Sequence, residues 1–227
     1  MRRVAIAVAA ALVAFCPAAG AQEPPPPLPR VIVDLHGIIP VFPNDNAQLA
    51  GSRTVFDPLR AGPRRLFVSE LPGAGFGGRV GISLYLFRWK VVTVGVSGEA
   101  WTASSNSTPA ATTVVLSDGS VATLFPVNER LTSGDGQLSL NFGSGHGWSY
   151  LSGGFGRSQW SIVPDGASAS SADAQLLPTT NYGGGAHWSI KRHLGFGLDV
   201  RIYELQPGTS GSPRTRLLVA GAGIFLK

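Results

Sequence analysis

The chain has 227 residues, with 18 Lys and Arg against 13 Asp and Glu, and only 14% of it is charged, where a soluble domain carries ~25%. Its single cysteine is Cys16, so disulfide frameworks and thiolate metal centres are excluded from everything that follows it. No apolar run beyond the first twenty residues reaches the ~20 residues of a transmembrane helix, although mean hydropathy is slightly positive at +0.17.

Residues 1–21 read as a secretory signal peptide. Arg2 and Arg3 form the basic start, Val4 to Phe15 the apolar core, and Ala19-Gly20-Ala21 a small-x-small cleavage site before Gln22. Phe15 is too bulky for a lipobox, which argues against acylation of Cys16. Residues 22–30 form a Pro-rich leader, EPPPPLPR from Glu23 to Arg30, expected to hold the amino terminus off the domain and given no recognition role. The remaining residues, 31–227, form one all-β domain.

Side chains on a strand alternate between two faces. Val31, Val33, Leu35 and Gly37 suggest a first strand. Residues 43–74, with Pro43, Pro58, Pro63 and Pro72, read as a long loop. The second and third strands are the clearest, in 75–104: Val80, Ile82, Leu84 and Leu86 alternate with Arg79, Gly81, Ser83 and Tyr85. After Arg88-Trp89-Lys90 the pattern resumes, with Val92, Val94, Val96 and Ala100 against Thr93, Gly95, Ser97 and Glu99. A tight hairpin centred on Trp89 sets Arg79 directly across from Glu99 on the polar face. Another loop, 105–130, precedes a fourth strand at 131–143, where Leu138, Leu140 and Phe142 oppose Gln137, Ser139 and Asn141. A turn at 144–147 leads to a fifth strand, 148–160, with less distinct faces.

Residues 161–178 form a third loop. The sixth strand, 179–190, has Tyr182, Gly184, Ala186, Trp188 and Ile190 on one face and Asn181, Gly183, Gly185, His187 and Ser189 on the other. After Lys191-Arg192-His193, the seventh places Leu194, Phe196, Leu198, Val200 and Ile202 outward, with Gly195, Gly197, Asp199 and Arg201 inward. The eighth, 214–227, has two faces that are both apolar or small. Connections thus alternate long and short, as in barrels whose periplasmic turns are short and external loops long. Trp89, Trp148, Tyr150 and Trp188 stand beside the short turns, where an interface girdle belongs. The fold expected is an eight-stranded antiparallel up-and-down transmembrane β-barrel.

The hairpins at 75–104, 141–158 (NFGSGHGWSYLSGGFGRS) and 181–203 (NYGGGAHWSIKRHLGFGLDVRIY) resemble the small eight-stranded outer-membrane barrels, similar to the transmembrane domain of OmpA and the outer membrane protein β-barrel domain family. The resemblance implies a Gram-negative outer membrane, insertion by the barrel assembly machinery, contact with outer-membrane lipids and lipopolysaccharide, and a monomer. It carries architecture and no chemistry. Two departures stand out: the chain ends Ile224-Phe225-Leu226-Lys227 where such barrels end on Phe, and it lacks the peptidoglycan-binding domain that follows the barrel in OmpA.

Parity sends Arg79, Glu99, His187, Asp199 and Arg201 inward, a luminal polar cluster that neutralises itself and fills a narrow lumen. His187-Trp188-Ser189 resembles the His-x-Ser pair of lipid A deacylases, with Asp199 as the orienting acid. Both residues face the lumen beside a periplasmic turn, at the wrong end for outer-leaflet lipid A. The spacing of His36, His146 and His193 matches no metal site, and no cofactor or nucleic acid is expected. The basic balance, a pI near 9.9, is a surface property: Arg53, Arg60, Arg64, Arg65 and Arg214 are expected to meet lipopolysaccharide phosphates. The reading is a non-enzymatic outer-membrane protein with a structural or adhesive role through its loops. The alternatives are a deacylase-like enzyme at His187 and Ser189, and a soluble lipocalin-like carrier with its faces reversed. Outer-membrane extracts should show this protein changing gel mobility between unboiled and boiled SDS samples, because a closed barrel has no free edge; a soluble periplasmic protein with no shift would favour the lipocalin-like reading.

Overall fold

The computed structural model describes residues 26–57, 62–109, 113–115, 121–164, 174–208 and 212–227; the segment read as a signal peptide, and Arg60, lie outside these. In chain order the elements are β1 (Val31–Val41), α1 (Ala47–Ser52), β2 (Thr54–Asp57), β3 (Gly62–Arg65), a 3-10 turn (Val68–Glu70), β4 (Phe76–Trp89), β5 (Val92–Ser107), β6 (Thr113–Val115), β7 (Val121–Thr123), β8 (Val127–Ser144), β9 (Gly147–Pro164), β10 (Ala174–Ser189), β11 (Leu194–Leu205) and β12 (Thr215–Leu226). Strands β1, β4, β5, β8, β9, β10, β11 and β12 close into an antiparallel barrel, with β1 sealing it against β12. The small hairpins β2–β3 and β6–β7 stand in the first two long connections. Both the first and last barrel strands begin or end at the rim that carries the short turns.

The first hairpin departs from the expected register. Trp89 pairs with Val92, so the turn is Lys90-Val91, and Leu86 is left unpaired as a bulge between Tyr85 and Phe87. Gly81, not Arg79, therefore faces Glu99, while Arg79 faces Trp101. From Phe76 to Tyr85 the slip is two residues, an even number, so those side chains keep their faces; past the bulge Phe87 and Trp89 join Leu86 on the exposed side. At the second short turn Gly143 adopts φ +136, a region L side chains rarely enter. Any Cβ there would meet the Gly147 carbonyl and the Trp148 backbone.

The strands are longer than expected at the loop rim. β8 and β9 have 18 residues each and pair along their full length, roughly 60 Å of chain, whereas ~9–11 tilted residues cross a bilayer. The polarity of the faces inverts partway up. On β8 the outward residues near the short turn are Leu138, Leu140 and Phe142, all exposed. Further up the same face come Thr132, whose hydroxyl is 3.0 Å from that of Thr102, and Asn128, which donates to Asn106 at 2.7 Å. The inward face runs oppositely, from buried Asn141, Ser139 and Gln137 near the turn to Leu131 and Val127 above. Below the inversion the wall presents an apolar band; above it the outer face is polar and the interior becomes a mainly apolar core around buried Glu129, which accepts from the Trp160 ring N–H.

That upper core is completed by the first long connection, which folds into the mouth. Phe42, Leu49, Ala50, Leu66 and Leu71 join Leu131, Trp160, Leu177 and Leu217 in one buried cluster. Asn46 caps α1 by accepting from Leu49 N at 3.0 Å. Glu70, fully buried, pairs with Arg64 and accepts from the Phe67 and Phe125 amides at 2.9 and 3.0 Å, fastening this lid to the β7–β8 connection. Two residues expected at a lipid surface are thus elsewhere. Arg64 serves Glu70, and Arg53 is buried with its guanidinium 4.0 Å above the Trp160 ring. Burial pulls Arg53 down to about 10, opposed by Glu129. Leucine and tryptophan volume in the mouth demands a lid, and flat guanidinium faces are cheap to bury against an aromatic ring.

The opposite end is stoppered by Leu28, Ile32, Trp148 and Phe225, with Tyr85 against them. The described part of the Pro-rich leader, residues 26–30, does not stand off: the Gly145 amide donates to the Pro26 carbonyl at 2.8 Å, and Leu28 is buried. Around the wall the pairing is uneven. β1 meets β12 only from Val33 to Val41 and β4 only from Val31 to Ile38, against the full length of β8 and β9. Replacing Leu140 by Arg on the hydrocarbon band should cost about 2–4 kcal/mol in urea unfolding from phospholipid vesicles. Thr132→Arg, on the same face above the inversion, should cost about 0–1 kcal/mol.

Candidate functional site

Between the two apolar plugs lies a chamber of polar side chains, placed by strand parity and by glycines that leave the lumen unfilled. Its centre is Asp199 on β11. One carboxylate oxygen accepts from Arg79 at 2.5 Å; the other accepts from Arg201 Nε at 2.8 Å and the Tyr150 hydroxyl at 2.7 Å. Glu99 lies 3.9 Å from both guanidinium groups and accepts from the Tyr203 hydroxyl. Arg201 also donates to Gln137, which donates in turn to Asp135 at 2.7 Å. Arg79 reaches His36 Nδ1 at 2.7 Å. His187 Nε2 lies 2.9 Å from Asp34 Oδ1.

Four of the five residues expected in the lumen, Arg79, Glu99, Asp199 and Arg201, form one connected network. His187 belongs to a second group, with Asp34 and His36, joined to the first through Arg79. Asp34, Asp135 and Tyr203 are not reached from the sequence; Gln137 is set there on the polar face of its strand, and His36 is weighed only with His146 and His193, far from its actual neighbours Arg79 and Asp34. The alternation that sends Val33 and Leu35 outward already implies that Asp34 and His36 point inward. A cavity of about 30 Å³ touches Asp34, His36, Arg79, Tyr150 and His187, room for a water or two.

The expected girdle divides. Trp89 and Trp188 face outward and are exposed. Trp148 and Tyr150 do not join them; both are buried in the lumen. Trp148 pairs across the sheet with His187 and Tyr150 with Gly185, so their face is the His187 face. The His187 ring stacks on Trp148 (4.9 Å, 29°) and on Tyr150 (5.3 Å, 23°), with Phe225 edge-on at 4.8 Å. Trp148 Nε1 donates to the Tyr85 hydroxyl at 3.2 Å. Large rings fit inside because Gly183, Gly185, Gly195 and Gly197 carry no side chains on the neighbouring inward positions.

The proposed hydrolytic grouping is not assembled. Asp199 is bound to Arg79, Arg201 and Tyr150, and the carboxylate beside His187 is Asp34. Ser189 donates to the Gly145 carbonyl at 2.7 Å and accepts from Lys227. Nucleophile, base and acid therefore point to different partners. In a narrow lumen, removing one member of a buried ion network leaves its partners uncompensated. Asp199→Asn should destabilise the barrel by about 3–5 kcal/mol, read as a lower temperature for the SDS mobility shift and a lower urea midpoint.

No protein-family model matches the chain, and no curated protein matches it. Among solved structures it is similar to Neisserial surface protein A, with a TM-score of 0.52 and 12% identity over 88% of this chain and 97% of that one. It is also similar to Ail, the attachment invasion locus protein of Yersinia pestis (TM-score 0.46, 11% identity, 86% of this chain and 97% of that). The N-terminal β-barrel domain of Pseudomonas aeruginosa OprF aligns with a TM-score of 0.36 and 13% identity over 86% of this chain and 96% of that domain. At 12% identity the likeness to Neisserial surface protein A is one of fold. Eight closed antiparallel strands, an apolar outer band and a polar inner chamber give this chain the fold of the small eight-stranded outer-membrane β-barrels.

Proposed function

We propose that the protein is an integral outer-membrane protein without enzymatic activity, acting by adhesion or interaction at the cell surface through its long-loop rim. In this orientation the short turns and both ends of the barrel domain are periplasmic, and insertion proceeds through the barrel assembly machinery. One observation carries the reading: the lumen is filled at both ends by apolar side chains, while the wall continues far above the hydrocarbon band. A tube closed in this way has its working surface outside, on the rim. The described rim includes the β6–β7 hairpin, with Val115 exposed.

Lipopolysaccharide is the lipid partner in this reading. Arg130 and Arg157 project outward above the band and are exposed. Arg214 and Arg216 do so beside Glu204, at 2.5 and 2.7 Å. Guanidinium groups at that height meet phosphate-bearing headgroups. Arg130→Glu with Arg157→Glu should therefore lower the lipopolysaccharide that co-purifies with the barrel; unchanged lipid would remove these residues from the interface.

The surface role is tested with cells producing the full chain or a version in which residues 113–123 are replaced by a Gly-Ser linker of equal length. Attachment to extracellular-matrix-coated surfaces should fall while the SDS mobility shift is kept. Equal attachment would dismiss the hairpin as the contact, and no attachment by either strain would dismiss adhesion. A Ser189→Ala strain should keep its lipid A acylation unchanged.

A further inference from the structure

We propose that Asp34, His36 and His187 form a binding site for one divalent transition-metal ion, zinc being the best match, inside the barrel. The site is independent of the surface role. One ligand atom from each of the three residues lies within 4.8 Å of the others. Two atoms bound to the same tetrahedral zinc at about 2.0–2.1 Å stand about 3.3 Å apart. Asp34 Oδ1 is 2.9 Å from His187 Nε2 and 3.8 Å from His36 Nε2, so the present spacings bracket that value.

Two imidazoles and one carboxylate are a borderline ligand set suited to zinc, with a fourth position left for water. The adjoining cavity of about 30 Å³, which Asp34, His36 and His187 all line, has the space for that water.

Three further observations point to a missing ligand. His36 Nε2 is buried with no hydrogen-bond partner, an expensive arrangement for a polar nitrogen. Both rings turn Nε2 toward the space above Gly197: a Cβ built there would stand 3.1 Å from His36 Nε2 and 3.2 Å from His187 Nε2. The chamber is also unbalanced in charge. Arg79 and Arg201 supply two positive charges, while Asp34, Glu99, Asp135 and Asp199 supply four negative, leaving 2 − 4 = −2 with neutral imidazoles. Glu99 and Asp135 even face each other directly across β5 and β8, a costly pairing of like charges. A divalent cation offsets this excess of carboxyl groups over guanidinium groups.

Binding replaces the hydrogen bond between His187 and Asp34 with a shared metal. On each ring the Nε2 proton moves to Nδ1; for His36 this releases Arg79, which keeps Asp199 at 2.5 Å. The three ligands come from β1 and β10, which are not neighbours in the wall, so the ion would clamp the barrel across its lumen.

The test refolds the full chain in detergent with Zn²⁺ or Co²⁺ present, removes free metal, and measures bound metal and the Co²⁺ absorption spectrum. The wild type should retain a single equivalent. His36→Ala with His187→Ala should lose it, and His146→Ala with His193→Ala, in the exposed turns, should keep it. No retained metal, or loss with the turn variant instead, overturns the proposal. If the luminal variant does not give the SDS mobility shift of a closed barrel, imidazole nitrogen resonances of the wild type decide. Zn²⁺ should move those of His36 and His187. Movement confined to His146 and His193, or none, overturns the site.

Discussion

Everything inside this barrel depends on holding charge where water is scarce. Two guanidinium groups and their carboxylates sit in a tube too narrow to hydrate them, so each must find its counter-charge and its hydrogen bonds in the opposite wall. Asp199 meets that demand for β4, β9 and β11 together, since Arg79, Tyr150 and Arg201 all converge on it. The glycines on the inward faces serve the same end. By withholding side chains from part of the lumen, they allow long arginines and large rings to cross it and meet in the middle.

The two apolar plugs make that arrangement possible. Tyr203 marks the upper boundary: its ring lies against Trp101 at 5.1 Å, in the mouth core, and its hydroxyl serves Glu99 below. Trp148 marks the lower one, with its ring among Phe225 and Leu28 and its N–H on Tyr85. Aromatic residues with one polar edge are suited to such boundaries. The result is three layers stacked along the axis: a polar one in the centre, an apolar stopper below, and above it an apolar core that also encloses Arg53, Glu70 and Glu129.

Much of this was legible as period-two alternation. The outward runs Val80–Ile82–Leu84, Leu138–Leu140–Phe142 and Phe196–Leu198–Val200 identify the wall, and parity places Arg79, Glu99, Asp199 and Arg201 inside it. The remaining features fail for definite reasons. The turn at Lys90-Val91 and the one-residue bulge at Leu86 together move the register by two, and the trace of the bulge, two consecutive apolar residues, is easily read as a strand end. An aromatic beside a short turn gives the same pattern whether it points in or out, which is why Trp148 and Tyr150 resemble Trp89 and Trp188. The eighth strand is ambiguous because Leu217 and Val219 fill the mouth core while Leu218 and Ile224 face lipid. The apolar residues of the lid, Phe42, Leu49, Leu66 and Leu71, follow no period at all. The grouping of Asp34 and His36 with His187 joins positions near opposite ends of the chain, and only closure of the wall brings them together.

The uneven pairing around the wall has a mechanical consequence. β1 shares short seams with both neighbours, whereas β5, β8 and β9 are joined over nearly their whole length. The rim is therefore bevelled, low beside β1 and high across the molecule, and the lid springs from the low side and leans toward the high one. Under thermal or pulling stress such a tube parts like a garment along its shortest stitching. The tall strands would stay together as a curved sheet while β1 peels away first, carrying the lid with it and baring the charged interior to water.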